Sequence, residues 1–147
     1  MRMIDLIVIH CSATRCNRSF TPAQLEAAHL QRGFRTCGYH FYITRDGEIH
    51  PMRPVCEVGA HALHYNAHSI GICYEGGLDE EGRPKDTRTP DQKAMMYLLV
   101  QQLRKRFRIK RVMGHRDLSP DRDGDGIISP GEWLKQCPCF DVASENL

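Results

Sequence analysis

The side chains able to do chemistry in this sequence fall into two groups. The first is scattered along the chain: His10, His115 and Cys137, two imidazoles and a thiol. A catalytic zinc takes three protein ligands, leaves a fourth position open, and favours nitrogen and thiolate sulfur. Two neutral imidazoles and one thiolate would leave the ion a net charge near +1, still able to acidify water. Taken one at a time, each reads more readily as an unrelated polar residue at a strand end than as a ligand, because no tight spacing such as H-E-x-x-H joins them.

The second group is contiguous. Asp121-Arg122-Asp123-Gly124-Asp125-Gly126-Ile127-Ile128-Ser129-Pro130-Gly131-Glu132 has carboxylates at the first, third, fifth and last places of a calcium-loop pattern, with glycine sixth. Oxygens from alternate residues converge on a hard cation, the glycine permits the sharp turn, and a bidentate glutamate closes the shell. Asp121, Asp123, Asp125 and Glu132 would give side-chain oxygens and Ile127 its carbonyl. Leu118-Ser119-Pro120 is a poor helix, so the expectation is a calcium-stapled loop at 121–132, not a sensor that opens. The competing reading is a solvated acidic turn.

Elements must bring these residues together. Residues 5–11 form a short β-branched run that reads as a buried strand ending at His10 and Cys11. Thr21-Pro22-Ala23-Gln24 opens a helix, with Thr as cap, Pro first and Gln three after the cap. Leu25, Ala28 and His29 share its inner face, and Gly33 stops it. Tyr39 to Thr44, a turn at Asp46-Gly47 and Glu48 to Met52 read as a hairpin. Ser69 to Tyr74 is a core strand, and residues 78–88 read as an exposed loop. Thr89-Pro90-Asp91-Gln92 repeats the helix signal. That second helix runs to about Phe107, with Met95, Leu98, Leu99 and Leu103 as its apolar stripe. Arg111 to Met113 is a last short strand leading to His115. Strands interleaved with two helices predict an α/β fold: one domain over residues 1–147, a central mixed β-sheet flanked by helices.

Composition narrows the function. The chain has 147 residues, with 20 basic against 18 acidic ones, too balanced to argue for nucleic acid, and no nucleic-acid partner is expected. No apolar run approaches the ~20 residues needed to span a membrane. Seven cysteines is an odd number, so a complete intrachain disulfide set is excluded, and most read as buried small hydrophobes. The apolar stretch near the N-terminus is short and carries Asp5, unlike a signal peptide. The expectation is synthesis in the cytoplasm and a monomeric chain.

Several segments, in order, resemble one family. Ile9-His10-Cys11-Ser12-Ala13-Thr14 resembles the first metal-ligand segment of the zinc N-acetylmuramoyl-L-alanine amidases, which share their fold with the peptidoglycan recognition proteins. Gly38-Tyr39-His40-Phe41 with Arg45-Asp46-Gly47 is similar to the family's hairpin, and Val58-Gly59-Ala60-His61 with Tyr65-Asn66 to its groove segment. Ser69-Ile70-Gly71-Ile72-Cys73, Gly114-His115 and Lys135-Gln136-Cys137-Pro138 complete the set. The resemblance implies zinc at His10, His115 and Cys137, catalytic side chains at Tyr39 and Lys135, and substrate contacts from His61, Tyr65 and Asn66. Some relatives use a carboxylate as third ligand, which makes Asp141 a competitor of Cys137, with Cys139 a third candidate. Others place an acidic residue where this chain has Cys73, and Glu75 lies two residues further on.

The function so implied is zinc-dependent hydrolysis of the amide between N-acetylmuramic acid and L-alanine in peptidoglycan. A phage-type endolysin would act on the wall after release. The alternatives are a muropeptide-recycling amidase in the cytoplasm and a peptidoglycan-binding module without catalysis.

Overall fold

The computed structural model describes residues 2–147; Met1, the first residue of the expected domain, lies outside them. The elements in chain order are β1 (Leu6–Cys11), β2 (Thr14–Arg15), α1 (Pro22–Gln31), β3 (Phe41–Ile43), β4 (Ile49–Pro51), β5 (Ser69–Tyr74), β6 (Gly77–Leu78), α2 (Pro90–Arg106) and β7 (Arg111–Gly114). Short 3-10 turns stand at Asn66–His68, His115–Leu118, Pro130–Glu132 and Val142–Glu145. Five strands hydrogen-bond in the order β4-β3-β5-β1-β7. β1 runs parallel to β5 and β7, β3 parallel to β5, and β4 antiparallel to β3, which is the mixed sheet expected.

Alternation along β1 divides the molecule into two layers. Ile7, Ile9 and Cys11 join Ile70, Ile72 and Tyr74 of β5 on one face, covered by Met96, Leu99, Val100 and Leu103 of α2. Each such burial contributes roughly 1.5–3 kcal/mol over leaving the side chain in water. Leu6, Val8 and His10 take the other face, in register with Ser69, Gly71 and Cys73. Ala62 covers Leu6 and Val8 there, and Leu25 of α1 covers Tyr42 and Cys73.

Both helices start as their caps dictate. Thr21 with Gln24, and Thr89 with Gln92, form reciprocal capping boxes with proline in the first turn. The buried stripe of α2 differs from the one expected. Gln92, Met96, Leu99, Val100 and Leu103 face the sheet, while Leu98 is 49 % exposed. The sheet selects positions spaced three and four apart from Gln92, and Leu98 falls off that line. Gln92 is buried because its Nε2 donates to the carbonyls of Ile43 (3.1 Å) and Glu75 (3.0 Å), tying the ends of β3 and β5 to the helix. Two further departures are local. The hairpin strand begins at Phe41, leaving Tyr39 in the preceding loop, and residues 77–78 pair with 14–15 as a small second sheet. No described helix is long and apolar enough to cross a membrane.

Candidate active site

The site lies at the C-terminal end of β1, a strand paired on both sides. His10 is 1 % exposed there. Gly114 of β7 pairs with Ile9, so the next residue, His115, stands beside His10 with ring centroids 4.6 Å apart. Cys137 arrives from the far end of the chain and is held from three sides. The Cys11 N–H donates to its Sγ at 3.2 Å, the Arg116 N–H to its carbonyl at 2.9 Å, and the buried Tyr74 hydroxyl to the Pro138 carbonyl at 2.6 Å.

One ligand atom from each of His10, His115 and Cys137 lies within 4.8 Å of the others. A tetrahedral zinc holds nitrogen and sulfur donors roughly 3.3–3.6 Å apart, so donors gathered this closely are within reach of one ion. The protonation states suit a cation. Burial, followed by the charges of His61, His115 and Lys135, keeps His10 well below the ordinary histidine value. Burial and then the Lys135 charge bring His115 down to about 4. Both imidazoles are neutral at pH 7 and each offers a lone pair. The donor set therefore fits zinc.

The competing ligands do not join this cluster. Cys139 Sγ sits 3.9 Å from Cys11 Sγ, and the exposed Asp141 caps the last 3-10 turn by accepting from the Ala143 N–H. Glu75 is buried but committed elsewhere: its carboxylate accepts from the Phe20 N–H (2.7 Å) and the Arg45 N–H (2.8 Å) and pairs with the Arg45 guanidinium.

Tyr39 and Lys135 flank the cluster differently. The Tyr39 ring lies 4.9 Å from that of His10, and burial lifts its phenol well above the usual tyrosine value, so it stays a protonated donor. Lys135 is exposed, yet its charge is felt by both His10 and His115.

The three expected substrate contacts part company. His61 is only 9 % exposed and both ring nitrogens face protein partners, His10 at 2.9 Å and Ser69 at 3.2 Å. Asn66 spends its side-chain oxygen on the His61 and Ala62 N–H groups, both at 2.9 Å, so it shapes the loop from within. Tyr65 is half-buried, as Asn66 is, and packs on the cluster of Leu6, Val8 and Ala62. Spacing along a loop does not tell which side faces inward; only the packing over Gly71 decides it. The one sequence signal for the inward turn was glycine inside a core strand, which marks close approach by another group.

At 121–132 one carboxylate oxygen from each of Asp121, Asp123, Asp125 and Glu132 also lies within 4.8 Å of the others. Asp121 accepts from the Gly124 and Gly126 N–H groups, and Glu132 from those of Arg122, Asp123 and Ser129. Gly124 and Gly126 take φ of +72° and +82°, which favours glycine at both.

Comparison with known proteins adds to this geometry. A family model described as N-acetylmuramoyl-L-alanine amidase matches residues 1–132. The endolysin of Enterobacteria phage K11 is 33% identical over 134 residues, covering 91% of this chain and 80% of the endolysin. The solved structure of the endolysin amidase LysCS from Clostridium intestinale superimposes with a TM-score of 0.72 at 30% identity, over 94% of this chain and 76% of that one. Bumblebee PGRP-SA, at 19% identity, shares the fold with a TM-score of 0.73 over 97% of this chain and 81% of its own.

Proposed function

The chain belongs to the N-acetylmuramoyl-L-alanine amidase family, and we propose that His10, His115 and Cys137 hold its zinc while Tyr39 and Lys135 act on the substrate. The activity is that of the family and of the endolysin relatives, hydrolysis of the amide joining N-acetylmuramic acid to L-alanine in peptidoglycan. The observation that carries the site assignment is the convergence of two neutral imidazoles and a thiol from β1, the end of β7 and residue 137.

Zinc, when bound, supplies a Lewis acid that makes water nucleophilic at neutral pH and takes up negative charge from the carbonyl oxygen. The protein does the rest. The Cys11 N–H stabilises negative charge on Cys137 Sγ. Burial keeps the imidazoles free of protons that would compete with the metal. Tyr39, a neutral phenol beside His10, and Lys135, an ammonium at the rim, share the two remaining tasks: donating to the oxyanion and protonating the leaving amine.

Peptidoglycan incubated with the protein should release alanine amino groups without new reducing sugar ends. The release should stop with chelator and return with zinc. Binding to peptidoglycan without new amines, with zinc demonstrably present, would instead support a binding module.

Three finer readings accompany this one. Residues 1–147 form one monomeric amidase domain, to be checked by light scattering. The chain reaches the wall after release from the cell that makes it, as an endolysin would. The loop at 121–132 takes calcium through Asp121, Asp123, Asp125, Glu132 and the Ile127 carbonyl, and so orders the segment carrying Lys135 and Cys137. The residue pattern and the convergent carboxylates support the calcium reading. Glu132→Gln should then lower activity with zinc still bound, and unchanged activity at very low calcium would sink the coupling.

A further inference from the structure

A histidine can turn only one of its two ring nitrogens to a metal. For His10 the choice is made by a neighbour. Its Nε2 lies 2.9 Å from Nδ1 of His61, whose own Nε2 lies 3.2 Å from the hydroxyl of the fully buried Ser69. An ion placed 2.0–2.1 Å from Nε2 of His10 along that line would collide with the His61 ring. One proton sits between the two imidazoles, and its owner decides what His10 can do. If His61 Nδ1 holds it, a neutral His10 carries its own proton on Nδ1 and has no free lone pair. If His10 Nε2 holds it, Nδ1 is bare.

We infer that His61, backed by Ser69, is a positioning residue for the zinc site. It accepts from the His10 Nε2–H, donates its own Nε2–H to Ser69 Oγ, and so presents His10 Nδ1 to the metal. The inference rests on the ligand set proposed above and goes beyond it by naming the ligating atom and what selects it.

The surroundings hold the His61 ring in this one pose. A Cβ at Gly71 would stand 2.6–2.8 Å from three of its atoms, and one at Gly59 would stand 2.8 Å from its Cδ2. The His40 ring meets it edge-on at 5.8 Å between centroids, and its backbone N–H is tied to Asn66. Two glycines from separate segments thus make room for an imidazole whose nitrogens reach only His10 and Ser69. A partner that fixes the tautomer and orientation of a metal-bound histidine is worth about 10–100-fold in metal affinity.

The test begins with the unaltered protein, labelled with 15N-histidine and observed by NMR with and without zinc. Zinc should shift His10 Nδ1 as a ligating nitrogen. His10 Nε2 should keep a slowly exchanging proton, and His61 should carry its proton on Nε2. Coordination through His10 Nε2, or a proton on His61 Nδ1, overturns the inference and leaves the ligand set standing. No response of His10 to zinc overturns the ligand set and the inference with it. Variants then measure the effect by competition with a chelator. His61→Leu should weaken zinc binding about 10–100-fold, and His61→Asn, whose Oδ1 can still accept, should recover most of it. Wild-type affinity in His61→Leu, or equal losses in both variants, refutes a positioning role. If His61→Leu does not fold, the spectrum of the unaltered protein decides.

Discussion

Taking the metal-free protein from pH 7 to pH 5 should remove a large share of its stability. His40 and His61 are 0 % and 9 % exposed, and burial pushes them down to about 4 and about 3. The contacts agree with neutral rings. His40 Nδ1 accepts from the Gly71 N–H at 3.0 Å, and its Nε2 faces the Glu57 carbonyl at 2.8 Å, so a second proton would point at an N–H. In the unfolded chain both titrate near 6.5. Between that value and the folded ones the unfolded state binds more protons, so stability present above pH 6.5 is lost as the pH falls. At about 1.36 kcal/mol per unit, each of these two withdraws about 2 kcal/mol by pH 5, or about 4 kcal/mol together, and His10 and His115, held low in the same way, add to the loss. A domain of this size has roughly 5–15 kcal/mol in all. With a urea slope of about 2 kcal/mol per molar, the midpoint should fall by at least about 2 M. The assay is urea unfolding in chelator, followed by the fluorescence of the single tryptophan, Trp133. Equal midpoints at the two pH values would show that these imidazoles are not held neutral, and the account of the site's inner wall would fail.

Other outcomes follow from the same structure. Cys137→Ser should abolish tight zinc binding and activity, whereas Cys139→Ser and Asp141→Asn should retain both; zinc content after dialysis decides. Tyr39→Phe should lower kcat by about 100–1000-fold with zinc content unchanged, since it removes one donor and little volume. Gly71→Ala should cost about 1–3 kcal/mol of stability, because its Cβ would overlap the buried His61 ring. Gly131→Ala, with nothing within 4 Å of the added carbon, should be nearly neutral in the same thermal unfolding experiment.

Local physics made much of this protein readable from its residues. The run at 5–11 reads as a buried strand, and Leu6–Cys11 form one. The two Thr-Pro-x-Gln signals contain every atom their capping boxes need, so both helix starts were determined within four residues. The scattered His10, His115 and Cys137 became a set only through resemblance, because no short spacing links residues that meet across β1, the end of β7 and the segment after the 121–132 loop.

Tertiary structure alone decided the rest. The buried stripe of α2 depended on where the helix lies over the sheet, so Met96 and Val100 went in and Leu98 stayed out. Glu75 could have faced the metal cluster until the backbone N–H groups of Phe20 and Arg45 claimed its carboxylate. His61 and Asn66 read as groove residues because their segments resemble the family's groove segment. The fold turned His61 inward, where a buried polar group must find a partner, and it finds His10; Asn66, half-buried, holds the His61 and Ala62 N–H groups. Strand and cap signals act over a few residues and are written in the sequence. Which side of a loop faces the sheet is set by contacts between segments far apart in the chain, and those exist only once it has folded.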